Sequence, residues 1–130
     1  MISTSAGFPL ANARAIAGGN GKLGAVGFCY GGTIVNLIAT RVPELVAGAP
    51  FYGGAPPLDK VGAIKAELLL VFADNDNFVN PSWPPYEAAL RAAVLAAPTL
   101  GYSTGPSGVQ LAKLFERWGI AETIQPRIIT

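Results

Sequence analysis

The residue best suited to covalent chemistry is the single cysteine, Cys29, which lies at the centre of the segment Gly27–Gly31, GFCYG. This segment has the G-x-nucleophile-x-G form, in which the nucleophile occupies a sharp turn between a strand and a helix. Side chains at the two flanking positions would clash in such a turn, which accounts for Gly27 and Gly31. Because the turn places the thiol at a helix N-terminus, the positive end of the helix dipole favours a thiolate.

A nucleophile of this kind needs partners for the charge that develops on its substrate. The backbone N–H of Tyr30 would be one donor to an oxyanion. Histidine is the usual general base near neutral pH, but the sequence contains none, so the base must be another group or belong to another chain. The alternative is that Cys29 is a structural residue buried beside a tight turn, as free cysteines often are.

The composition is that of one small domain without a charged macromolecular partner. The 130 residues are 51% hydrophobic and 13% charged, with a net charge of +1. The sequence has no basic stripe of the kind that binds nucleic acid, and no signal peptide is evident. The longest apolar run, Leu68–Ala73, is far shorter than the about 20 residues that span a membrane. A lone cysteine excludes an internal disulfide, disfavours zinc and fits a reducing cytoplasm.

Short apolar runs alternate with helical segments along the chain, which predicts parallel βαβ units. The predicted strands are Lys22–Phe28, Leu45–Tyr52 and Leu68–Ala73, and the predicted helices are Pro9–Ala17, Thr33–Thr40 and Tyr86–Ala97. We therefore expect an α/β fold in three layers, with a parallel sheet of three to four strands and flanking helices. The strands are continuously apolar, as in sheets covered on both faces.

The pattern changes after Pro98, where a short strand is expected over Thr99–Ser103. A loop and a helix follow, and the apolar residues of this helix recur at helical spacing, at Leu111, Leu114, Phe115 and Trp118. Gly119 is suited to end the helix because glycine readily adopts the left-handed conformation of that position.

Residues 24–32, GAVGFCYGG, closely resemble the nucleophile motif of the dienelactone hydrolase family of α/β-hydrolases. Three further segments resemble the same family in the same order, namely Phe51–Gly54, Leu68–Val79 and Trp83–Leu90. The resemblance extends from about Ala11 to Leu90. It implies hydrolysis of a small-molecule ester or lactone without a cofactor.

The resemblance also implies roles for individual residues. Cys29 matches the nucleophile, Tyr30 the residue that offers an oxyanion N–H, and Asp76, rather than Asp74, the aspartate that orients a catalytic histidine. The alternative is that Asp76 only forms a turn. The family has its histidine in a later loop, and its earlier strands supply a second oxyanion donor and an acidic residue that contacts the cysteine. Those strands would precede Met1, so the chain resembles a central part of the enzyme.

The remaining residues, 91–130, resemble a second family, the molybdate-type periplasmic substrate-binding proteins of ABC transporters. The resemblance implies that Ser107 and Gly108, at the start of a helix, offer backbone N–H groups to an oxyanion. The alternative is an ordinary helix cap, where serine and threonine are preferred. The chain would then join two partial families, one over residues 1–90 and the other over residues 91–130.

Three hypotheses of function follow from these patterns. The first is a cysteine-dependent ester or lactone hydrolase that lacks its histidine. The second is a non-catalytic module that binds a small oxyanion at Ser107 and Gly108. The third is an inert fragment that associates with copies of itself, because a short open sheet leaves unpaired strand edges.

Overall fold

The computed structural model describes residues 17–102 and 105–129, and these form two compact units. The first unit ends at Tyr86 and the second begins at Glu87. The predicted helix Pro9–Ala17 lies outside the described residues except for its last residue, and Ser103 and Thr104 also lie outside them. The elements are β1 (Leu23–Phe28), α1 (Tyr30–Ala39), β2 (Leu45–Phe51), β3 (Glu67–Leu68), α2 (Trp83–Ala96), β4 (Leu100–Gly101), α3 (Pro106–Arg117), α4 (Ala121–Ile124) and β5 (Ile128–Ile129), with 3₁₀ turns at Leu58–Ala63, Asn80–Ser82 and Gln125–Arg127.

The first unit is built on a parallel sheet whose strand order is β1-β2-β3. Phe28 at the end of β1 pairs with Phe51 at the end of β2, so the two strands finish level with each other. Their rings stack with centroids 4.7 Å apart. The predicted α/β fold, with a parallel sheet and flanking helices, is confirmed.

The third strand is shorter than the sequence predicts, but its hydrogen bonds continue beyond its last regular residue. Leu69 N–H donates to the Gly48 carbonyl oxygen at 2.9 Å, and Val71 N–H donates to that of Pro50 at 3.1 Å. The segment after β3 therefore follows β2 as far as Val71, which forms an isolated parallel bridge with Phe51.

One face of the sheet is covered by α1, which follows β1 directly. Gly48 of β2 leaves room for this helix, because a Cβ there would lie 3.1 Å from Cγ1 of Val35. The opposite face remains open at three apolar side chains, since Val26 is 67% exposed, Phe28 57% and Leu69 63%. Burial therefore alternates along β1, whereas the continuous apolar pattern predicts a strand covered on both faces.

The end of β2 approaches α1 closely enough to exclude side chains. A Cβ on Gly53 would lie 2.2 Å from the carbonyl carbon of Gly32 and 2.3 Å from the amide nitrogen of Thr33. Such a contact cannot be relieved by rotating a side chain, because both atoms belong to the backbone of α1. Glycine at position 53 is therefore a condition of this packing.

A buried polar contact joins α1 to the start of α2. Asn36 and Tyr86 are each only 1% exposed, and the Tyr86 hydroxyl donates to Oδ1 of Asn36 at 3.4 Å. The Asn36 amide nitrogen in turn donates to the Gly54 carbonyl oxygen at 2.9 Å. Burial raises the pKa of Tyr86 to about 12, because the phenolate would lose its hydration.

The second unit has its own small core. The buried residues are Phe115, Ile120 and Ile124, with apolar neighbours that include Leu111 and Trp118. The helix α3 ends in a Schellman motif, in which Gly119 N–H donates to Glu116 and Ile120 N–H to Phe115, at 2.9 and 3.0 Å. Gly119 has φ +65°, so the predicted helix-ending role of this glycine is confirmed.

Titration of Tyr86 gives a first prediction. We expect the free energy of unfolding to fall as the pH rises from 10.0 to about 12, since in this window the unfolded tyrosine loses its proton while the folded one keeps it. Tyr86→Phe should show a smaller fall, because it has no proton to lose at that position. Urea unfolding of both proteins across this window measures the difference, and equal pH dependence would contradict the prediction.

The approach of Gly53 to α1 gives a second prediction. Gly53→Ala should lower the free energy of unfolding by about 1–3 kcal/mol, because its Cβ would overlap backbone atoms. Gly62→Ala is the matched control, since a Cβ on Gly62 meets nothing within 4 Å, and it should change stability by less than about 1 kcal/mol. Denaturant unfolding of the two variants compares them, and similar values would show that the packing at Gly53 relaxes freely.

Candidate active site

Cys29 is the single residue between the end of β1 and the first residue of α1. Its backbone has φ 55° and ψ −120°, in the left-handed region that residues with side chains rarely adopt. The thiol is exposed. The predicted sharp turn between strand and helix is therefore present, and the alternative of a buried structural cysteine is wrong.

Two backbone hydrogen bonds hold this turn. Cys29 N–H donates to the Phe51 carbonyl oxygen at 3.0 Å, and the Cys29 carbonyl oxygen accepts from Thr33 N–H at 3.2 Å. The Cys29 N–H is thereby used within the sheet. Tyr30 is the first residue of α1, and its N–H has no carbonyl group one turn earlier in the helix to bind. This N–H is the donor nearest in sequence to the thiol that an oxyanion could use.

The structure excludes a side chain at the first glycine of the motif but not at the second. A Cβ on Gly27 would lie 2.2 Å from the Gly31 carbonyl oxygen, so a side chain at Gly27 is excluded as the sequence predicts. A Cβ on Gly31 would meet nothing within 4 Å among the described residues. The expected clash at Gly31 is therefore wrong. Gly31 contributes only its backbone, which lies too close to Gly27 for a side chain at position 27.

Asp76 shapes the turn that follows the sheet's third strand. Its Oδ1 accepts the N–H groups of Phe78 and Val79, both at 2.8 Å, and its carbonyl oxygen accepts from Asn80 N–H at 3.1 Å. The turn-forming role weighed for Asp76 is therefore confirmed. Among the described residues no hydrogen bond to Oδ2 is found, so the second oxygen is available to a base. Asp74 is exposed.

Cys29 and Asp76 lie beyond the same end of the sheet. Cys29 follows the carboxyl end of β1, and Asp76 follows the extended segment that pairs with β2 up to Val71. The carboxyl ends of parallel strands form the usual site edge of α/β folds. This edge therefore presents an exposed thiol, the N–H of Tyr30 and a carboxylate, whereas the sequence contains no histidine.

Ser107 and Gly108 belong to the second unit, near the start of α3. The helix begins at Pro106, and its N-cap is Gly105, without a side-chain hydrogen bond. Ser107 and Gly108 are therefore the second and third helical residues. The alternative of a serine or threonine cap is wrong, because glycine holds that position.

Three polar side chains near the site were missed by the sequence analysis. Thr33 and Asn36 lie in the first two turns of α1, and Ser82 lies in the 3₁₀ turn before α2. Each hydrogen-bonds the segment that follows β2. Polar residues one turn apart in an otherwise apolar helix were the pattern that could have pointed to Thr33 and Asn36.

The sequence model of the dienelactone hydrolase family matches residues 9–99. The match continues past Leu90, and the comparisons give no support to a molybdate-type resemblance for residues 91–130. In the part of the chain that the structure describes, no helix is long and apolar enough to cross a membrane.

Individual relatives match a shorter stretch. A carboxymethylenebutenolidase homologue from Mus musculus is 38% identical over 58 residues, covering 45% of this chain and 24% of the relative. Protein usf from Aquifex pyrophilus is 42% identical over 62 residues, covering 45% of this chain and 26% of the relative. The chain thus spans about a quarter of the length of the curated relatives it matches. Because the family match covers more than half of its residues, the chain belongs to the dienelactone hydrolase family.

Proposed function

We propose that this chain carries the nucleophile of an ester or lactone hydrolase and that Cys29 is that nucleophile. The observation that carries the proposal is the exposed thiol on a left-handed turn, one residue before a helix N-terminus. The dipole of α1 stabilises negative charge at this position. The family and the names of the relatives favour a lactone as the substrate.

The first chemical step is acylation of Cys29. The thiolate sulfur attacks the carbonyl carbon, a carbon–sulfur bond forms, and the carbonyl electrons move to the oxygen. The Tyr30 N–H donates to this oxyanion. Collapse of the intermediate breaks the bond to the leaving oxygen, which takes up a proton from solvent or a base, and a thioester on Cys29 remains.

The second step, hydrolysis of the thioester, depends on a base. Water must lose a proton as it attacks, and the free thiolate is then the leaving group. In this mechanism Asp76 orients a base through its Oδ2 atom while Oδ1 holds the turn. Without histidine in the chain, deacylation should be slower by about 10²–10⁴-fold, the usual contribution of general acid–base catalysis. We therefore propose an incomplete hydrolase that acylates readily and deacylates slowly.

The exposed thiol also favours a compartment. An unpaired, solvent-accessible cysteine stays reduced where glutathione and thioredoxin operate. We propose that the chain acts in the cytoplasm on a small molecule.

The acyl-enzyme can be tested with a nitrophenyl ester, whose leaving group needs no proton. The wild type should release about one equivalent of nitrophenolate in a burst and then turn over slowly, because acylation outpaces hydrolysis of the thioester. Cys29→Ala should show no burst. Mass spectrometry of the quenched protein locates the acyl group, and a burst of equal size in both proteins would rule out Cys29 as nucleophile.

The missing base can be tested by supplying one. Added imidazole should raise the steady-state rate of the wild type by about tenfold or more over the same protein without imidazole, as part of the general base contribution is restored. Cys29→Ala measures the rate of imidazole acting alone. Asp76→Asn should reduce the gain if the carboxylate orients the base. A wild-type gain no larger than that of Cys29→Ala would show that deacylation is not limited by a base.

A further inference from the structure

The segment Gly53–Ala55, which we call the bridging segment, hydrogen-bonds two parts of the first unit that carry the candidate site. It begins two residues after Phe51, the residue whose carbonyl oxygen accepts from Cys29 N–H. On one side it contacts α1, which starts at the nucleophile turn. On the other side it contacts the 3₁₀ turn that follows Asp76.

The contact with α1 is made by two side chains. The Thr33 hydroxyl oxygen accepts from Gly54 N–H at 2.9 Å, and the Asn36 amide donates to the Gly54 carbonyl oxygen at 2.9 Å. Thr33 also binds the nucleophile turn, because its N–H donates to the Cys29 carbonyl oxygen. One residue thus connects Cys29 directly to the bridging segment.

The contact with the aspartate turn is made by one hydroxyl. Ser82 Oγ accepts from Ala55 N–H at 3.3 Å and donates to the Val79 carbonyl oxygen at 2.7 Å. Val79 N–H in turn donates to Oδ1 of Asp76. A series of hydrogen bonds, joined by short covalent stretches of the chain, therefore runs from Cys29 through Thr33, Gly54, Ala55 and Ser82 to the Asp76 carboxylate.

Packing alone does not account for these side chains. Valine has nearly the shape of threonine and would fill the same space on α1, yet it would leave the Gly54 N–H without its partner. A backbone N–H that is shielded from water and has lost its partner costs free energy, and the Gly54 N–H lies in a part-buried position. These hydrogen bonds hold the bridging segment to α1 on one side and to Ser82 on the other. The glycines of the segment have little rigidity of their own.

We propose that the bridging segment, held by Thr33 and Ser82, is a positioning device that sets the Cys29 turn and the Asp76 turn relative to each other. Thr33 and Ser82 are positioning residues, because they act through the backbone of the bridging segment. The coupling of the two turns is a property of the fold. Its effect on acylation rests on the proposed function.

The coupling can be measured without any activity, by amide hydrogen exchange of the full chain. Ser82→Ala should lower the protection of Ala55 and, through the series, that of Gly54 and Cys29 by about tenfold, the scale of one lost hydrogen bond. Thr40→Val is the matched control, since the Thr40 hydroxyl binds Leu37 at the other end of α1, and it should leave these amides unchanged. Loss of protection at Ala55 alone would overturn the proposal.

The effect on chemistry is measured by comparing two reactions of Cys29. Thr33→Val should slow the acylation burst about tenfold, because acylation needs an aligned Tyr30 N–H, while alkylation by iodoacetamide, which forms no oxyanion, keeps its rate. Thr33→Ser, which retains the hydroxyl, should restore acylation. Equal slowing of both reactions, or no rescue by serine, would overturn the positioning role.

The two measurements separate the proposals. If the wild type gives no burst, the proposed function fails. Amide hydrogen exchange of the Ser82→Ala variant still decides whether the two turns are coupled. If Thr33→Val does not fold, Thr33→Ser and Ser82→Ala give the same comparison. If the wild type gives a burst but the exchange measurements show no coupling of the two turns, Cys29 remains the proposed nucleophile and the positioning role of the bridging segment is rejected.

Discussion

The hydrogen bond from Cys29 N–H to the Phe51 carbonyl oxygen extends the pairing of β1 and β2 by one residue beyond the strand. That bond holds the turn at Cys29 against the sheet, and it leaves the next N–H, that of Tyr30, outside the ladder. The following strand repeats the arrangement, since Tyr52 N–H donates to the Val71 carbonyl oxygen at 2.7 Å while Tyr52 has φ 38°. Two residues with positive φ are thus each fixed by the neighbouring strand, which is how a fold sustains strained backbone at a site.

Close backbone contact is the second requirement of the site. Gly27 lies against the carbonyl of Gly31, and Gly53 lies against Gly32 and the amide of Thr33. Both contacts bring α1 nearer to the strand ends than side chains would permit. The helix N-terminus can therefore reach the sheet edge where the thiol lies, and the Thr33 hydroxyl comes within hydrogen-bond distance of Gly54.

Local patterns predicted where the chain turns at Cys29 and where α3 ends. The turn at Cys29 followed from the spacing of Gly27 and Cys29, and the end of α3 followed from Gly119. The sequence did not predict the bonds of Thr33, Asn36 and Ser82, because their partners lie 18 to 27 residues away along the chain. The sequence also overestimated the length of β3 and the burial of β1. A run of apolar residues shows the composition of a strand but not which of its faces is packed.

The bonds that hold the two strained residues have a consequence for how the site comes into being. The backbone of Cys29 is held by Phe51, about twenty residues further along the chain, and that of Tyr52 is held by Val71, again about twenty residues further. Contacts of this separation form only after the intervening loop has closed. The geometry of the motif GFCYG is therefore completed only when β2 pairs with β1, because the Cys29 N–H has its partner at the end of β2. The turn at Cys29 thus depends on a contact that is distant in the sequence, although its own residues are adjacent.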